Sequence, residues 1–108
     1  MLRHVVLFRW NEGTEAAHVD RVEAELRAML DRLDMVRAWS LGRDAGLREG
    51  NADMALVVDL DDADAFRRYS ADAGHQQILN ELILPACTRT GAPFFARGNP
   101  GFPREPPP

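Results

Sequence analysis

Several features are absent or scarce in this chain, and each absence excludes a kind of chemistry. All 13 basic residues are Arg and none is Lys, which excludes a lysine Schiff base and a P-loop lysine. The single cysteine, Cys87, excludes an intrachain disulfide and a zinc site built on cysteines. No apolar run approaches the ~18 residues of a membrane span, and the N-terminus lacks the pattern of a signal peptide. We therefore expect a cytoplasmic protein.

The length and net charge of the chain limit the number of domains and the classes of partner that we expect. A chain of 108 residues is large enough for one core but too small for two. Its net charge of −4 gives no basic surface for nucleic acid or an anionic membrane, so neither is expected as a partner. The exclusive use of Arg, with abundant Ala, is typical of a GC-rich bacterial genome. A chain this small has little room for both a core and a roomy pocket, which favours self-association.

The spacing of apolar residues predicts alternating strands and helices. Residues 3–10 alternate with period two and carry apolar side chains on both faces, which indicates a strand covered on both sides. Apolar residues then recur at helical spacing over 15–33, with Thr14 as the predicted N-cap. The later predicted elements are strands over 36–41 and 54–60, helices over 63–69 and 73–84, and a last strand over 93–97.

This order predicts the fold class: an α+β, ferredoxin-like sandwich with the order β-α-β-β-α-β. Helices on one face leave the other face of the sheet uncovered. That face is apolar, because it carries Val5, Leu7, Ala55 and Val57. Its simplest cover is a second copy of the chain, so we expect a homodimer that pairs sheet to sheet.

The composition changes after residue 97. The stretch GNPGFPREPPP has five Pro and two Gly and shows no periodicity, which predicts a domain over 1–97 and an extended tail over 98–108. The tail is either a solvated terminus or an arm laid over a partner subunit.

The only Tyr in the chain and one of its three His lie six positions apart at a predicted helix junction. Asp72 is predicted to cap the helix that holds His75 in its first turn. A helix N-terminus disfavours imidazolium, so a neutral His75 can accept a proton next to a carbonyl while Tyr69 donates to the enolate oxygen. His4, on the helix-facing side of the first strand, is expected to reach the same space. The alternative is structural, in which these groups satisfy each other or the backbone.

A pocket between sheet and helices is expected to take a small, mostly apolar, oxygenated ligand. Besides His4, its predicted lining is Val6, Phe8, Val22, Leu26, Leu56, Val58 and Ile78. His18 is expected on the solvated side of the first helix, and the three histidines have no spacing typical of a metal site. Trp10 and Trp39 are expected in the core or a dimer contact, and Cys87 is expected to be inert.

Several segments together resemble the stress-responsive A/B barrel (Dabb) domain family. They are RHVVLFRW near the start, MALVVDL followed by DDADAFRRY, and GHQQILNELILP, and the resemblance covers residues 2–96. It implies a ferredoxin-like fold dimerised into an α/β barrel. A plant member of the family is a cofactor-independent polyketide cyclase whose catalytic His and Tyr match His75 and Tyr69, and whose pocket His matches His4. The resemblance therefore implies that no cofactor is needed.

Two positions depart from the family pattern. The usual His-Pro-x-His is here Asp72-Ala73-Gly74-His75, and a further pocket histidine of the cyclase is replaced by Met54, which makes the pocket less polar. Three functions remain open. The chain is a cofactor-free cyclase, lyase or isomerase with His75 as base and Tyr69 as donor, or a non-catalytic dimer that binds a small molecule, or a cofactor-free monooxygenase.

Overall fold

The computed structural model describes residues 1–96, and one antiparallel sheet of four strands organises them. The bounds of the elements are β1 Leu2–Trp10, α1 Ala16–Arg32, β2 Ala38–Arg43, β3 Met54–Leu60, α2 Ala63–Ala71, α3 Ala73–Ile78, a π-helical stretch Leu79–Ile83 (hereafter the π segment) and β4 Cys87–Phe95. The predicted α+β, ferredoxin-like fold is confirmed. The predicted tail, 98–108, lies outside the described residues.

The strand order β2-β3-β1-β4 places β1 and β3 in the middle of the sheet. Val6 of β1 lies opposite Leu56 on one side and Gly91 on the other. β1 and β3 carry apolar side chains on both of their faces, a pattern typical of strands that are covered on both sides. Because successive side chains of a strand point to opposite faces, these apolar side chains alternate between the two faces of the sheet.

The core lies between the sheet and the helices. Leu2, His4, Val6 and Phe8 of β1 are buried, whereas Val5 between them is half-buried and Leu7 is 43% exposed. Residues on the same face of β3 and one stripe of α1 meet the buried face of β1. The buried members of that stripe are Val22, Leu26, Met29 and Leu30.

The opposite, outer face of the sheet has no cover within residues 1–96. Leu7 lies there between Ala55 and Thr90, and Phe94 of β4 is 57% exposed. Near one end of this face the fully buried Asp59 accepts hydrogen bonds from Arg3 at 2.7 and 3.0 Å. The outer face is thus apolar in its middle and ion-paired at one end.

Several boundaries differ from prediction because of capping and pairing. Glu15 precedes α1 and makes no side-chain cap, while the Thr14 hydroxyl instead donates to the Asn11 carbonyl at 2.8 Å. Thr14 is therefore not the N-cap. β2 is shifted two residues along, so Gly42 lies inside the strand rather than ending it.

The last strand begins six residues earlier than predicted. β4 pairs with β1 from Cys87 onwards, although Thr, Arg and Gly in this stretch give no apolar alternation of the predicted kind. Pro93 lies inside the strand, and it is tolerated because β4 is an edge strand where a missing N–H need not break a ladder.

The predicted third helix is divided in two. α3 ends at Ile78, and the backbone then widens into the π segment, in which Leu84 N–H donates to the Leu79 carbonyl at 2.9 Å. This is an i→i+5 bond, the mark of π-helix, and such turns are frequent at functional sites. No helix among residues 1–96 is long and apolar enough to cross a membrane.

Candidate functional site

The junction between α2 and α3 fixes the position of His75. The Asp72 carboxylate accepts a hydrogen bond from His75 N–H at 2.9 Å, so Asp72 is the N-cap of α3, as predicted. The same carboxylate accepts a hydrogen bond from Arg32 Nη2 of α1 at 2.8 Å. A Cβ on Gly74 would come within 2.6 Å of that Arg32 nitrogen. The glycine therefore lets α1 and the junction approach closely.

Three predicted site residues come together. The ring centroids of Tyr69 and His75 are 4.8 Å apart, and those of His4 and Tyr69 are 5.9 Å apart. Phe66 of α2 packs edge-on against His4 at 5.1 Å. A strand and two helices thus bring the only Tyr and two of the three histidines into one group.

Burial sets the protonation of this group. It raises the pKa of Tyr69 to about 12, with the nearby Arg89 cation opposing the rise. It lowers the pKa of His4 to about 4, and a backbone hydrogen bond to Ala92 offsets only part of that shift. The pKa of His75 is also lowered, mainly by burial. At neutral pH the group therefore consists of two neutral imidazoles and a protonated phenol.

The physical cause that keeps His75 neutral differs from the one predicted from the sequence. The helix N-terminus was the expected cause, but burial is the largest influence on its pKa. The Asp72 cap in fact acts weakly the other way, because its negative charge favours imidazolium. His75 is neutral mainly because its half-buried imidazole is partly removed from water.

These polar groups do not satisfy one another. Nδ1 of His4 and Nδ1 of His75 are buried and have no hydrogen-bond partner in the part of the chain that the structure describes. Among residues 1–96, no hydrogen bond joins two of the three side chains. Of the structural alternative, the part in which Tyr69 and His75 bond each other is therefore absent. The backbone part remains open, because Ala92 and Ser70 act on the pKa values of His4 and His75 through backbone hydrogen bonds. Buried polar atoms without partners are uncommon and call for an explanation.

The group lines a small cavity under the helices, hereafter the polar cavity. The space open to the centre of a water molecule is about 20 Å³, which is room for about one water. Of the predicted lining, it includes His4, Val6, Phe8, Leu26, Leu56 and Ile78, together with Tyr69 and His75. Val22 and Val58 are fully buried elsewhere in the core and do not reach it.

Sequence reasoning missed three lining residues: Leu79, Ile83 and Arg89. Arg89 lies opposite Phe8 in the ladder between β1 and β4, and residues opposite one another share a face. The sequence indicates Arg89 as a lining residue only if β4 begins at Cys87, because only then does Arg89 fall at an inward-facing position of the strand.

The other predicted residues have structural surroundings. His18 was expected to be solvated, which is wrong: its Nε2 lies 2.8 Å from the Leu82 carbonyl, so it ties α1 to the π segment. Cys87 is buried, and burial raises the pKa of its thiol. Trp10 and Trp39 are half-buried against the core, and Met54 is 1% exposed. Residues 1–96 contain no group of His, Cys, Asp and Glu that could hold a metal ion.

The fold and the polar cavity together define a class: a ferredoxin-like α+β protein with a Tyr and His group enclosed between sheet and helices. Within that class, the sequence profile of the Stress responsive A/B Barrel Domain (Dabb) matches residues 2–92. The chain belongs to this family.

Similar proteins agree with that assignment. The chain is 35% identical over 79 residues to an uncharacterised protein of Streptomyces coelicolor, which covers 70% of this chain and 80% of that one. A dimeric ferredoxin-like protein of unknown function from Thermobifida fusca is 34% identical with a TM-score of 0.79, covering 86% of this chain and 88% of that chain.

Two solved structures with named activities share the fold. A hydroxynitrile lyase from Passiflora edulis superposes with a TM-score of 0.78 at 19% identity, covering 94% of this chain and 96% of that chain. A variant of a cofactor-independent oxygenase from Streptomyces nogalater has a TM-score of 0.73 at 23% identity, covering 91% and 94%. At such identities the likeness shows the fold alone.

Proposed function

We propose that this chain is a cofactor-independent enzyme that removes a proton next to a carbonyl group of a small molecule, as a cyclase, lyase or isomerase. One observation carries the proposal: two neutral imidazoles and a protonated phenol converge on one cavity, and both buried Nδ1 atoms have no partner among residues 1–96. A ligand can supply the missing hydrogen bonds. Other proteins of this fold are a lyase and an oxygenase, so the fold accommodates catalysis.

The roles follow from the protonation of each group. An imidazole with a pKa of about 4 is a weak base, so His4 is assigned to hydrogen bonding. His75 is the base: the C–H bond breaks, the proton passes to its imidazole and the electron pair forms an enolate. Tyr69, protonated because its pKa is about 12, donates to the enolate oxygen. Return of the proton from His75 at another atom completes an isomerisation.

Substrate entry requires a side chain to move, because the polar cavity holds only about one water. Among its apolar lining residues, Leu79 of the π segment is half-buried while the others are buried. Leu79 is therefore the side chain whose displacement exposes the least new apolar surface. We place the entrance there.

The test is deuterium exchange into small ketones in D₂O, followed by proton NMR, with acetone, acetophenone and pyruvate as probes. We expect the protein to accelerate exchange at the carbon next to the carbonyl, and His75→Gln to lower that rate about 100-fold or more. Gln77→Ala, an exposed position on the same helix, is the matched control and should leave the rate unchanged. The proposal would be wrong if exchange were no faster than in buffer, or if His75→Gln left the exchange rate unchanged.

A second candidate is a binding protein without catalysis, because the unpartnered buried nitrogens call for a ligand but not for a reaction. It predicts that a ligand shifts the NMR signals of His4 and His75 while no probe exchanges its protons. Catalytic exchange by the wild-type protein excludes this candidate.

The proposal includes a homodimer formed through the outer face of the sheet. Its support is the apolar middle of that face, with Leu7 and Phe94 exposed, and the dimeric description of the Thermobifida fusca protein. Sedimentation should give twice the 12.1 kDa chain mass, and Leu7→Glu should give the monomer. A wild-type monomer at high concentration would contradict this part of the proposal.

A further inference from the structure

Arg89 is the one cation that residues 1–96 place on the wall of the polar cavity. It lies on the helix-facing side of β4, opposite Phe8, and shares the cavity wall with His4, Tyr69 and His75. Its side chain is half-buried. A guanidinium in such a place loses part of its hydration, which is costly unless a partner compensates.

No such partner exists among residues 1–96. Six other arginines pair with carboxylates: Arg3, Arg27, Arg32, Arg37, Arg43 and Arg67. Arg89 makes neither an ion pair nor a hydrogen bond within that range. Arg21, Arg48 and Arg68 also have no carboxylate partner there, but they are exposed and therefore hydrated. Arg89 alone combines partial burial with an unpaired charge in the described part of the chain.

Gly91 provides the space that this guanidinium occupies. A Cβ at Gly91 would lie 2.9 Å from Arg89 Nη1 and 3.4 Å from Cε1 of His4. Real Cβ atoms essentially never come that close to a nitrogen, so any larger residue would push the guanidinium away. The guanidinium therefore lies folded over Gly91, next to the imidazole of His4.

The charge of Arg89 is felt throughout the polar cavity. It opposes protonation of His4 and of His75, and it favours loss of the Tyr69 proton, in each case behind the larger effect of burial. Because both imidazoles and the phenol are neutral, the lining residues that the structure describes carry one net positive charge, that of Arg89. The complement of such a wall is a ligand with one negative charge.

We infer that Arg89 anchors the ligand and that the site takes small keto acids, with the carboxylate bound to Arg89 and the carbonyl facing Tyr69 and His75. The guanidinium presents a planar fork of donors that matches a carboxylate in two parallel hydrogen bonds. The choice of a keto acid rests on the proposed proton abstraction, whereas binding of a carboxylate at Arg89 does not.

The test compares pyruvate with pyruvamide, which has nearly the same shape and no charge. Dissociation constants are measured by NMR titration of the full chain at fixed ionic strength. We expect the wild-type protein to bind pyruvate at least about tenfold more tightly than pyruvamide, since charge-assisted bonds are roughly twice as strong as neutral ones. In Arg89→Gln the preference should vanish, and in Arg89→Lys part of it should remain.

Two further variants separate local from general effects. Arg67→Gln changes the net charge equally at an exposed position, and it should keep the preference for pyruvate. Gly91→Ala keeps the charge but displaces the guanidinium, and it should weaken pyruvate binding several-fold more than pyruvamide binding. Because the atom displaced is the end of a flexible side chain, this variant should still fold.

The inference is overturned if the wild-type protein binds the two probes equally or binds neither. It is also overturned if the preference survives Arg89→Gln, or if Arg67→Gln removes it as well. A preference that depends on Arg89 without any proton exchange would support carboxylate binding at Arg89 and refute both the proposed reaction and the choice of a keto acid. Proton exchange without a preference for pyruvate would support the proposed reaction and refute the role of Arg89 as the anchor of a carboxylate.

Discussion

Two parts of the same core differ in how their buried groups are satisfied. The apolar part, Val22, Leu30, Val58 and Leu60, is at most 2% exposed and contains no polar side-chain atom. The polar cavity, lined by His4, Tyr69, His75 and Arg89 among others, contains buried nitrogens without partners and a cation without a counter-ion among residues 1–96. An unpaired buried polar group costs about 1–3 kcal/mol.

The difference indicates which part serves stability and which serves a ligand. A core selected only to fold would place apolar side chains at all these positions, since leaving polar groups unpaired brings no gain. Functional groups are often kept at a cost to stability. On this account, substitutions in the apolar part should destabilise the fold, whereas removal of polar atoms from the polar cavity should not.

The largest effect is expected in the apolar part. Leu30→Ala removes a side chain that is 2% exposed, and the lost burial together with the cavity left behind should cost about 2–5 kcal/mol. Urea unfolding at fixed protein concentration measures it. The matched control is Leu84→Ala, at a site 50% exposed, which should change stability by about 0.5 kcal/mol or less. Equal losses in the two variants would contradict the account.

A smaller effect is expected from pH. The pKa of His4 falls from 6.5 to about 4 on folding, so between these values the unfolded chain binds more protons than the folded one. Stability should therefore be fully present above pH 6.5 and decline as the pH falls towards 4, by at most about 3 kcal/mol. The lowered pKa of His75 acts in the same direction.

Urea unfolding between pH 4.5 and 7.5 checks this dependence. His4→Gln should flatten the curve in that window. The carboxylates whose pKa values Arg32, Arg37 and Arg43 lower lose their contribution at more acidic pH, so they do not obscure the histidine effect. A curve of the same slope in His4→Gln would show that folding does not lower the pKa of His4.

Most of the fold could be predicted because its signals are local. Period two in β1, the nearly continuous apolar run of β3 and the apolar stripe of α1 depend on residues near one another in sequence, and Met54–Leu60 has the predicted bounds. β4 was placed too late because its pairing with β1 depends on a contact about 80 residues away along the chain, which no local pattern reveals. The π segment follows from packing, and an apolar helical stripe does not distinguish it from α-helix.

The residues of the candidate site also fall into those that the sequence predicts and those that depend on distant contacts. The group of His4, Tyr69 and His75 could be assembled from strand parity, the Asp72 cap and the family resemblance. Arg89 could not, because its inward position depends on the unpredicted start of β4. The size of the polar cavity was also beyond the sequence, since it depends on how Leu79 and Ile83 pack against the sheet.

The most direct measurement is the unfolding free energy of Tyr69→Phe, which removes one hydroxyl from the polar cavity and little else. Thr14→Val is the control for a satisfied hydroxyl, since the Thr14 hydroxyl donates to the Asn11 carbonyl at 2.8 Å, and its loss should cost about 1 kcal/mol. If the hydroxyl of Tyr69 is kept for a ligand, Tyr69→Phe should be neutral within about 0.5 kcal/mol or stabilising. A loss of about 1–3 kcal/mol would mean that the hydroxyl supports the fold, and the central claim would be wrong.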